Sequence, residues 1–218
     1  MVDKQLILIQ KPEDFKNIKF DFEPIPGLIG ISEELNPELV KSAYKHGLFP
    51  WFNHNEPILW WSPDPRQVLF TNNYHASRSL KKIIKKNEFT FKVNTNFSMV
   101  IKNCQQIKRK KQTGTWIDNR IIETYSNLHK EGVAYSFEVY SQDYLVGGIY
   151  GLLIGKNFFG ESMFHKLDNA SKVCFFFMCQ WLKENKIVMI DSQVESEHIS
   201  NWGGELVSRR KFIDIIKE

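Results

Sequence analysis

Four groups of residues in this chain carry side chains whose types and spacing suit chemistry beyond packing. Asp191, Ser192 and Gln193 directly follow the apolar run from Ile187 to Ile190. Polar groups at the end of a buried α/β strand commonly line a crevice, although they also serve as ordinary helix caps. Glu161 stands in the otherwise apolar stretch GESMF (160–164). A lone carboxylate there is costly unless it is paired, with Lys172 as one structural partner in reach, or put to use. The third group is cationic: Arg78 with Lys81, Lys82, Lys85 and Lys86, then Lys108, Arg109, Lys110 and Lys111, joined by Arg209, Arg210 and Lys211. Such runs are either solvated faces or phosphate contacts.

The fourth group is the segment YKHGLFPWFNHNEPILWWSPDPR (44–66), with Phe49, Trp51, Phe52, Trp60, Trp61 and four of the eight prolines. Each proline fixes φ, removes a donor and extends the residue before it. The segment is therefore rigid and aromatic. Either it is a proline-punctuated joint with its rings in the core, or its flat rings form a platform for stacking a nucleobase.

The elements that must position these groups read from periodicity and caps. LILI (6–9) is a short buried strand, and residues 11–35 read as irregular. Asn36-Pro37-Glu38 starts a helix that buries Leu39, Val40, Ala43 and Tyr44 and stops at Gly47. Val68–Phe70 is a brief strand, and Ser77 or Ser79 caps a helix with Leu80, Ile83 and Ile84 inward. A strand over Phe89–Val93 follows, then helices carrying Phe97, Val100, Ile101, Cys104 and, after an Asp118 cap, Ile121, Ile122, Tyr125 and Leu128. Alternation then predicts strands from Val133, from Tyr144 to Ile154 and from Phe158 to Phe164. Gly147, Gly148 and Gly151 mark bulges or close backbone approach within them. A helix from Ala170 to about Asn185 and the strand Ile187–Ile190 complete the pattern. The expected class is α/β (α+β), with a small lobe over 1–66 and a larger domain over 67–218 whose sheet is mixed and mostly antiparallel.

Composition bounds the function. The 218 residues are 42% hydrophobic with a net charge of +4, enough for a normal core and permissive of a nucleic-acid partner. Cys104, Cys174 and Cys179 form no even framework, which points to a reducing cytoplasm. The N-terminus lacks a signal-peptide pattern, and no apolar run approaches membrane-spanning length, so no membrane partner is expected. The six histidines lack metal-ligand spacing, so neither metal nor cofactor is expected, and no glycine-rich nucleotide loop is present.

The order of helices, antiparallel strands, helix and final strand resembles the GCN5-related acyltransferase fold. That fold's acyl-CoA loop has no counterpart: Gln142 is followed by glycines only at Gly147 and Gly148. Acyl transfer from another donor fits this pattern, with a CoA-dependent N-acyltransferase or a non-catalytic RNA-binding module as rivals. Several segments then carry a closer resemblance. AYKHGLFPWF (43–52), EPILWWSPDPR (56–66), HASRSLKK (75–82), GTWI (114–117), LVGGIYG (145–151), FFGESMF (158–164), NASK (169–172), IDSQ (190–193) and Arg209-Arg210 run in order along the chain. Together they resemble the leucyl/phenylalanyl-tRNA–protein transferase family.

That resemblance implies transfer of Leu or Phe from an aminoacyl-tRNA to the α-amine of proteins beginning with Lys or Arg. The product carries an N-degron for proteolysis, and no ATP is consumed. It implies adenine stacking by Trp51 and Trp116, and polar substrate contacts by Tyr44, Tyr125 and Glu161. Glu161 would bind the donor's ammonium or the acceptor's basic side chain. It implies an amino-acid pocket of Ile149, Phe158, Met163, Phe175, Met178, Leu182 and Ile190. Phosphate contacts would come from Arg78, Lys81, Lys82 and Lys85 and from Lys108, Arg109, Lys110 and Lys111. Asp191 and Gln193 match the family's catalytic pair. A Gln amide is a poor base, so Gln193 is expected to orient the attacking N–H while Asp191 polarises that amide and attracts the cationic amine. The chain departs from the family at Ile149, where Met is common, and at Phe175, Met178 and Leu182, where a Leu and two Phe are common, so donor ranking does not carry over.

Overall fold

The computed structural model describes residues 6–21, 23–107 and 116–217. The first part of the chain runs β1 (Ile7–Leu8), a 3-10 turn at Pro12–Asn17, β2 (Leu28–Ser32), α1 (Pro37–Lys45), β3 (Phe49–Pro50) and β4 (Ile58–Trp61). Its sheet has the order β1-β2-β4-β3, with only β1 and β2 parallel. Residues 11–35, expected to be irregular, thus hold a turn of helix and a strand. Both are too short to set up a readable period.

The second part begins with β5 (Arg66–Phe70), α2 (Arg78–Ile84), β6 (Thr90–Val93), α3 (Phe97–Gln106) and α4 (Asn119–Lys130). It continues with β7 (Ala134–Ser141), β8 (Tyr144–Ile154), β9 (Asn157–His165), α5 (Ala170–Glu184), β10 (Met189–Gln193), α6 (Glu197–Ser200), β11 (Glu205–Val207) and α7 (Arg209–Lys217). Its seven strands lie in the order β11-β5-β10-β9-β8-β7-β6. β9 and β10 are parallel, and every other pair is antiparallel.

The helices form where their caps direct. Asn36 accepts the Leu39 N–H at 3.0 Å, Pro37 fits the first helical position, and Gly47 follows at φ +83°. Ser77 rather than Ser79 caps α2, and Asp118 caps α4. The large sheet lies between two cores. Phe159 and Tyr150 pack toward α1, α3, α4 and the small sheet, while Phe158 and Ile149 pack toward α2, α5 and α6. That division follows from alternation of side chains along each strand.

The glycines of β8 have the role their spacing predicts. The ladder between β8 and β9 slips at Tyr150/Gly151. A Cβ on Gly151 would stand 2.1 Å from the Phe159 carbonyl oxygen, so only glycine fits that bulge. The last long strand differs from expectation. It spans Met189–Gln193, so Asp191, Ser192 and Gln193 form its end instead of following it, and its register with β5 slips between Asp191 and Gln193.

Candidate active site

β8, β9, β10, α5, α6 and the aromatic segment border an open cavity of about 1150 Å³. Trp51 and Trp116 line one part of it, Glu161, Asp191 and Gln193 another, and Ile149, Phe158, Met163, Phe175, Met178 and Ile190 supply apolar wall. Leu182 is not part of this lining. It is fully buried in the core beyond Met178, where its carbonyl accepts the Ile187 N–H. Helix phase brings Phe175 and Met178 to the cavity, and the next turn carries Leu182 past it.

The aromatic segment divides between the two roles its composition allows. Trp60 is fully buried with its indole N–H on Ser32 Oγ at 3.0 Å, and Phe49 and Phe52 are also in the core. Trp51 is 41% exposed, its ring 5.7 Å from that of Trp61, whose indole N–H donates to the Trp51 carbonyl at 2.6 Å. A neighbouring tryptophan thus fixes the exposed ring's backbone.

Arg66, the first residue of β5, reaches Asp191, whose ladder partner is Val68. Its Nε donates to Oδ1 at 2.9 Å and its Nη2 to Oδ2 at 2.6 Å, with both residues essentially without solvent contact. Such two-pronged pairs are geometrically demanding, and buried ones are stable only when well satisfied. Phe49 and Phe212 cover the guanidinium at 4.7 and 4.6 Å. Oδ1 of Asp191 also accepts the backbone N–H of Gln193 at 2.9 Å. Gln193 sits at φ +66°, a left-handed conformation uncommon for such a residue, and this bond holds it there. Asp191 therefore grips the backbone of Gln193 and not its amide, contrary to the expectation that it polarises that amide. Gln67 braces the same strand end: its carbonyl accepts from Ser192 Oγ at 3.1 Å and its Oε1 from the Ser196 N–H at 2.8 Å.

The amide of Gln193 reaches the other carboxyl, Nε2 donating to Glu161 Oε1 at 3.4 Å. Tyr44 from α1 donates to the same oxygen, and its hydroxyl lies 3.2 Å from that of Tyr125 on α4. Both tyrosines lie behind Glu161, fully buried and outside the cavity lining. Burial pushes the Glu161 carboxyl up to about 8, opposed by the two tyrosines and Arg66 and reinforced by Asp191. Burial, with Glu161 beside them, holds both phenols well above their ordinary range, so they stay protonated donors. No hydrogen bond joins Glu161 to Lys172, which lines the cavity separately.

Sequence reasoning singled out neither Arg66 nor His198. His198 lines the cavity against Phe175, ring centroids 5.7 Å apart, and burial and Lys172 lower its basicity. The signal for Arg66 was its place at the end of the proline-aromatic motif, next to a predicted strand. Among the cations, Arg78, Lys81 and Lys82 on α2 and Lys85 at its C-cap are exposed, outside the cavity lining. Lys108, Arg109, Lys110 and Lys111 lie outside the described residues. Arg209 leaves the phosphate set: it is buried, paired with Glu23 at 2.6 Å and stacked on Phe20. Among the described residues, no His/Cys/Asp/Glu cluster could hold a metal, and no helix is long and apolar enough to cross a membrane.

The fold has a solved counterpart in FemX, with a TM-score of 0.50 at 9% identity over 87% of this chain and 74% of that one. A mixed seven-stranded sheet of this order, with a cavity beside the parallel pair β9 and β10, is a GCN5-related acyltransferase-like fold. The family described as "Leucyl/phenylalanyl-tRNA protein transferase" matches residues 68–217, and the N-terminal domain of that name matches 33–64. The leucyl/phenylalanyl-tRNA–protein transferase of Flavobacterium johnsoniae is 49% identical over 191 residues, 88% of this chain and 90% of its own. That of Pseudomonas aeruginosa is 42% identical over 205 residues, 91% and 90% of the two chains. The chain belongs to the leucyl/phenylalanyl-tRNA–protein transferase family and is an enzyme of that kind.

Proposed function

We propose that this transferase takes leucine or phenylalanine from its tRNA ester and joins it to the α-amine of proteins that begin with Lys or Arg. The new N-terminal residue then marks the acceptor for degradation. The observation that carries this reading is that Trp51 and Trp116 line the same cavity as Gln193 and Glu161. An adenine stacked on the indoles would place its ester near the polar wall, and stacking contributes about 1–3 kcal/mol per base. The apolar wall around Ile149, Met163, Phe175 and Met178 suits a Leu or Phe side chain.

Chemistry then requires alignment and the loss of one proton from the amine. The ester is already activated, and an α-amine with a pKa of about 7.7–8.0 is partly neutral near physiological pH. Gln193, anchored by the Arg66–Asp191 pair, orients the incoming N–H toward the ester carbonyl. The exposed cations of α2 suit the phosphates of an acceptor stem.

The test is transfer of labelled phenylalanine from Phe-tRNA to otherwise identical proteins beginning with Lys, Arg or Glu. Labelling of the first two but not the third is expected. Equal labelling of all three would remove the acceptor assignment, and no labelling would remove the donor.

A further inference from the structure

We propose that Glu161 is the group that receives the proton released when the acceptor's α-ammonium becomes a nucleophile, and that Tyr44 and Tyr125 tune its readiness to do so. The inference rests on the reading of the cavity as the meeting place of aminoacyl ester and α-amine.

The polar wall offers few alternatives. Asp191 has both oxygens engaged by Arg66 and one also by the Gln193 N–H, and none of its surface reaches solvent. The Gln193 amide takes no proton near neutral pH. His198 is the true competitor, since it lines the cavity and its Nε2 is buried without a hydrogen-bond partner. Burial and the charge of Lys172 nevertheless make it a weaker base than an ordinary imidazole. Glu161 remains, with Oε1 against Gln193 Nε2, the residue that orients the amine.

The groups around Glu161 act in opposing directions. Tyr44 and Tyr125 donate toward it and favour the carboxylate, as does Arg66, while burial and Asp191 favour the acid. Lys172, His165 and His198 are the other titratable groups lining the cavity. The resulting carboxyl, pushed up to about 8, is close to the ordinary α-amine value of about 7.7–8.0, so proton transfer between them is nearly level in energy.

The step balances without any further reagent. The Glu161 carboxylate takes one proton from –NH3+, leaving –NH2 with a free pair. The nitrogen attacks the ester carbonyl carbon, the C–N bond forms and the C–O bond to the terminal ribose breaks. The remaining surplus N–H proton leaves with that ribose oxygen, relayed by the neighbouring ribose hydroxyl. Glu161 later returns its proton to water through the cavity.

Single-turnover transfer from Phe-tRNA to a Lys-initiated peptide, both saturating, is measured across pH 6–10. Glu161→Gln is expected to slow transfer about 100-fold or more, the scale for loss of a positioned base, with Phe-tRNA affinity unchanged within about twofold. Tyr44→Phe, which removes a donor to the carboxylate in an isosteric side chain, is expected to move the midpoint of the rate profile upward. Tyr125→Phe is expected to do the same. Wild-type rates in Glu161→Gln would overturn the proposal. So would an unmoved midpoint in both tyrosine variants, which would leave Glu161 a mere hydrogen-bond partner. A midpoint that shifts in His198→Gln alone would transfer the role to His198. Failure of the unmodified enzyme to use Phe-tRNA would instead overturn the functional reading beneath.

Discussion

Arg66 and Asp191 meet in a two-pronged ion pair that has no solvent contact and whose carboxylate also fixes the backbone of Gln193. The pair makes Asp191 a support for the polar wall of the cavity, with its charge already matched by Arg66. Removing one member strands the other in a buried site. Asp191→Asn is expected to cost about 3–5 kcal/mol in urea unfolding. Turnover in the folded fraction should fall roughly 100-fold, because the neutral Asn sets an NH2 donor against Arg66 Nη2 and can no longer hold both the guanidinium and the Gln193 N–H in place. Arg66→Met combined with Asp191→Asn should recover part of the stability but none of the turnover, a non-additivity that double-mutant measurement reads directly.

Trp51→Ala and Trp116→Ala should raise KM for aminoacyl-tRNA about tenfold or more while leaving kcat near its original value, since both rings line the cavity. Trp51 is 41% exposed, so its removal should lower Tm little. A stability loss of about 3–5 kcal/mol, the scale of a deleted core ring, would return either residue to the core.

Donor selectivity should follow pocket volume. Phe175 lines the cavity between His198 and Trp202. Phe175→Leu enlarges the space beside the donor side chain and is expected to shift the Phe-to-Leu ratio of kcat/KM toward Phe by about tenfold. Competition between the two charged tRNAs measures it, and an unchanged ratio would place Phe175 outside the selecting wall.

Glu161 also makes a prediction about stability alone. Its carboxyl is raised from 4.5 to about 8 in the folded chain. The group therefore stabilises the fold fully below its unfolded value, and that contribution is lost as pH rises through about 8. Glu161→Gln does not titrate, so its Tm relative to the unmodified enzyme should climb between pH 5 and pH 9. A pH-independent difference would mean that the buried carboxyl is not raised.

Binding of tRNA should weaken steeply with salt. Arg78→Gln, Lys81→Gln and Lys82→Gln should each reduce the log–log salt slope by about one without changing the single-turnover rate of bound donor. Unchanged slopes would identify the α2 cations as a solvated face.

What could be read from the sequence depended on range along the chain. The Asn36-Pro37 start and Gly47 stop of α1 are local signals, and they placed Tyr44 on the inner face where it is found. Glu161 stood out because an unpaired carboxylate in an apolar strand is costly, and it lies at the polar end of the cavity. The Arg66–Asp191 pair joins residues 125 positions apart, and nothing local to either announces the other. The left-handed backbone of Gln193 was equally hidden, because glutamine carries no preference for it. Leu182 shares a helix face with Phe175 and Met178 but lies one turn beyond the cavity, and periodicity gives the face without saying where along the axis the cavity ends. Arg209 was grouped with the free cations because Glu23 and Phe20, which hold it, come from the opposite end of the chain.

Phe212 on α7 completes the support of the polar wall from the far end of the chain. It supplies one of the two rings that cover Arg66, and it is also the last of these residues to be synthesised. Phe49, Arg66, Asp191 and Gln193 all leave the ribosome first. Until α7 docks, one face of the guanidinium remains open to water, where its grip on the carboxylate is weaker. The helix thus works as a seal on the Arg66–Asp191 pair, and a chain shortened before α7 is expected to hold Gln193 less firmly.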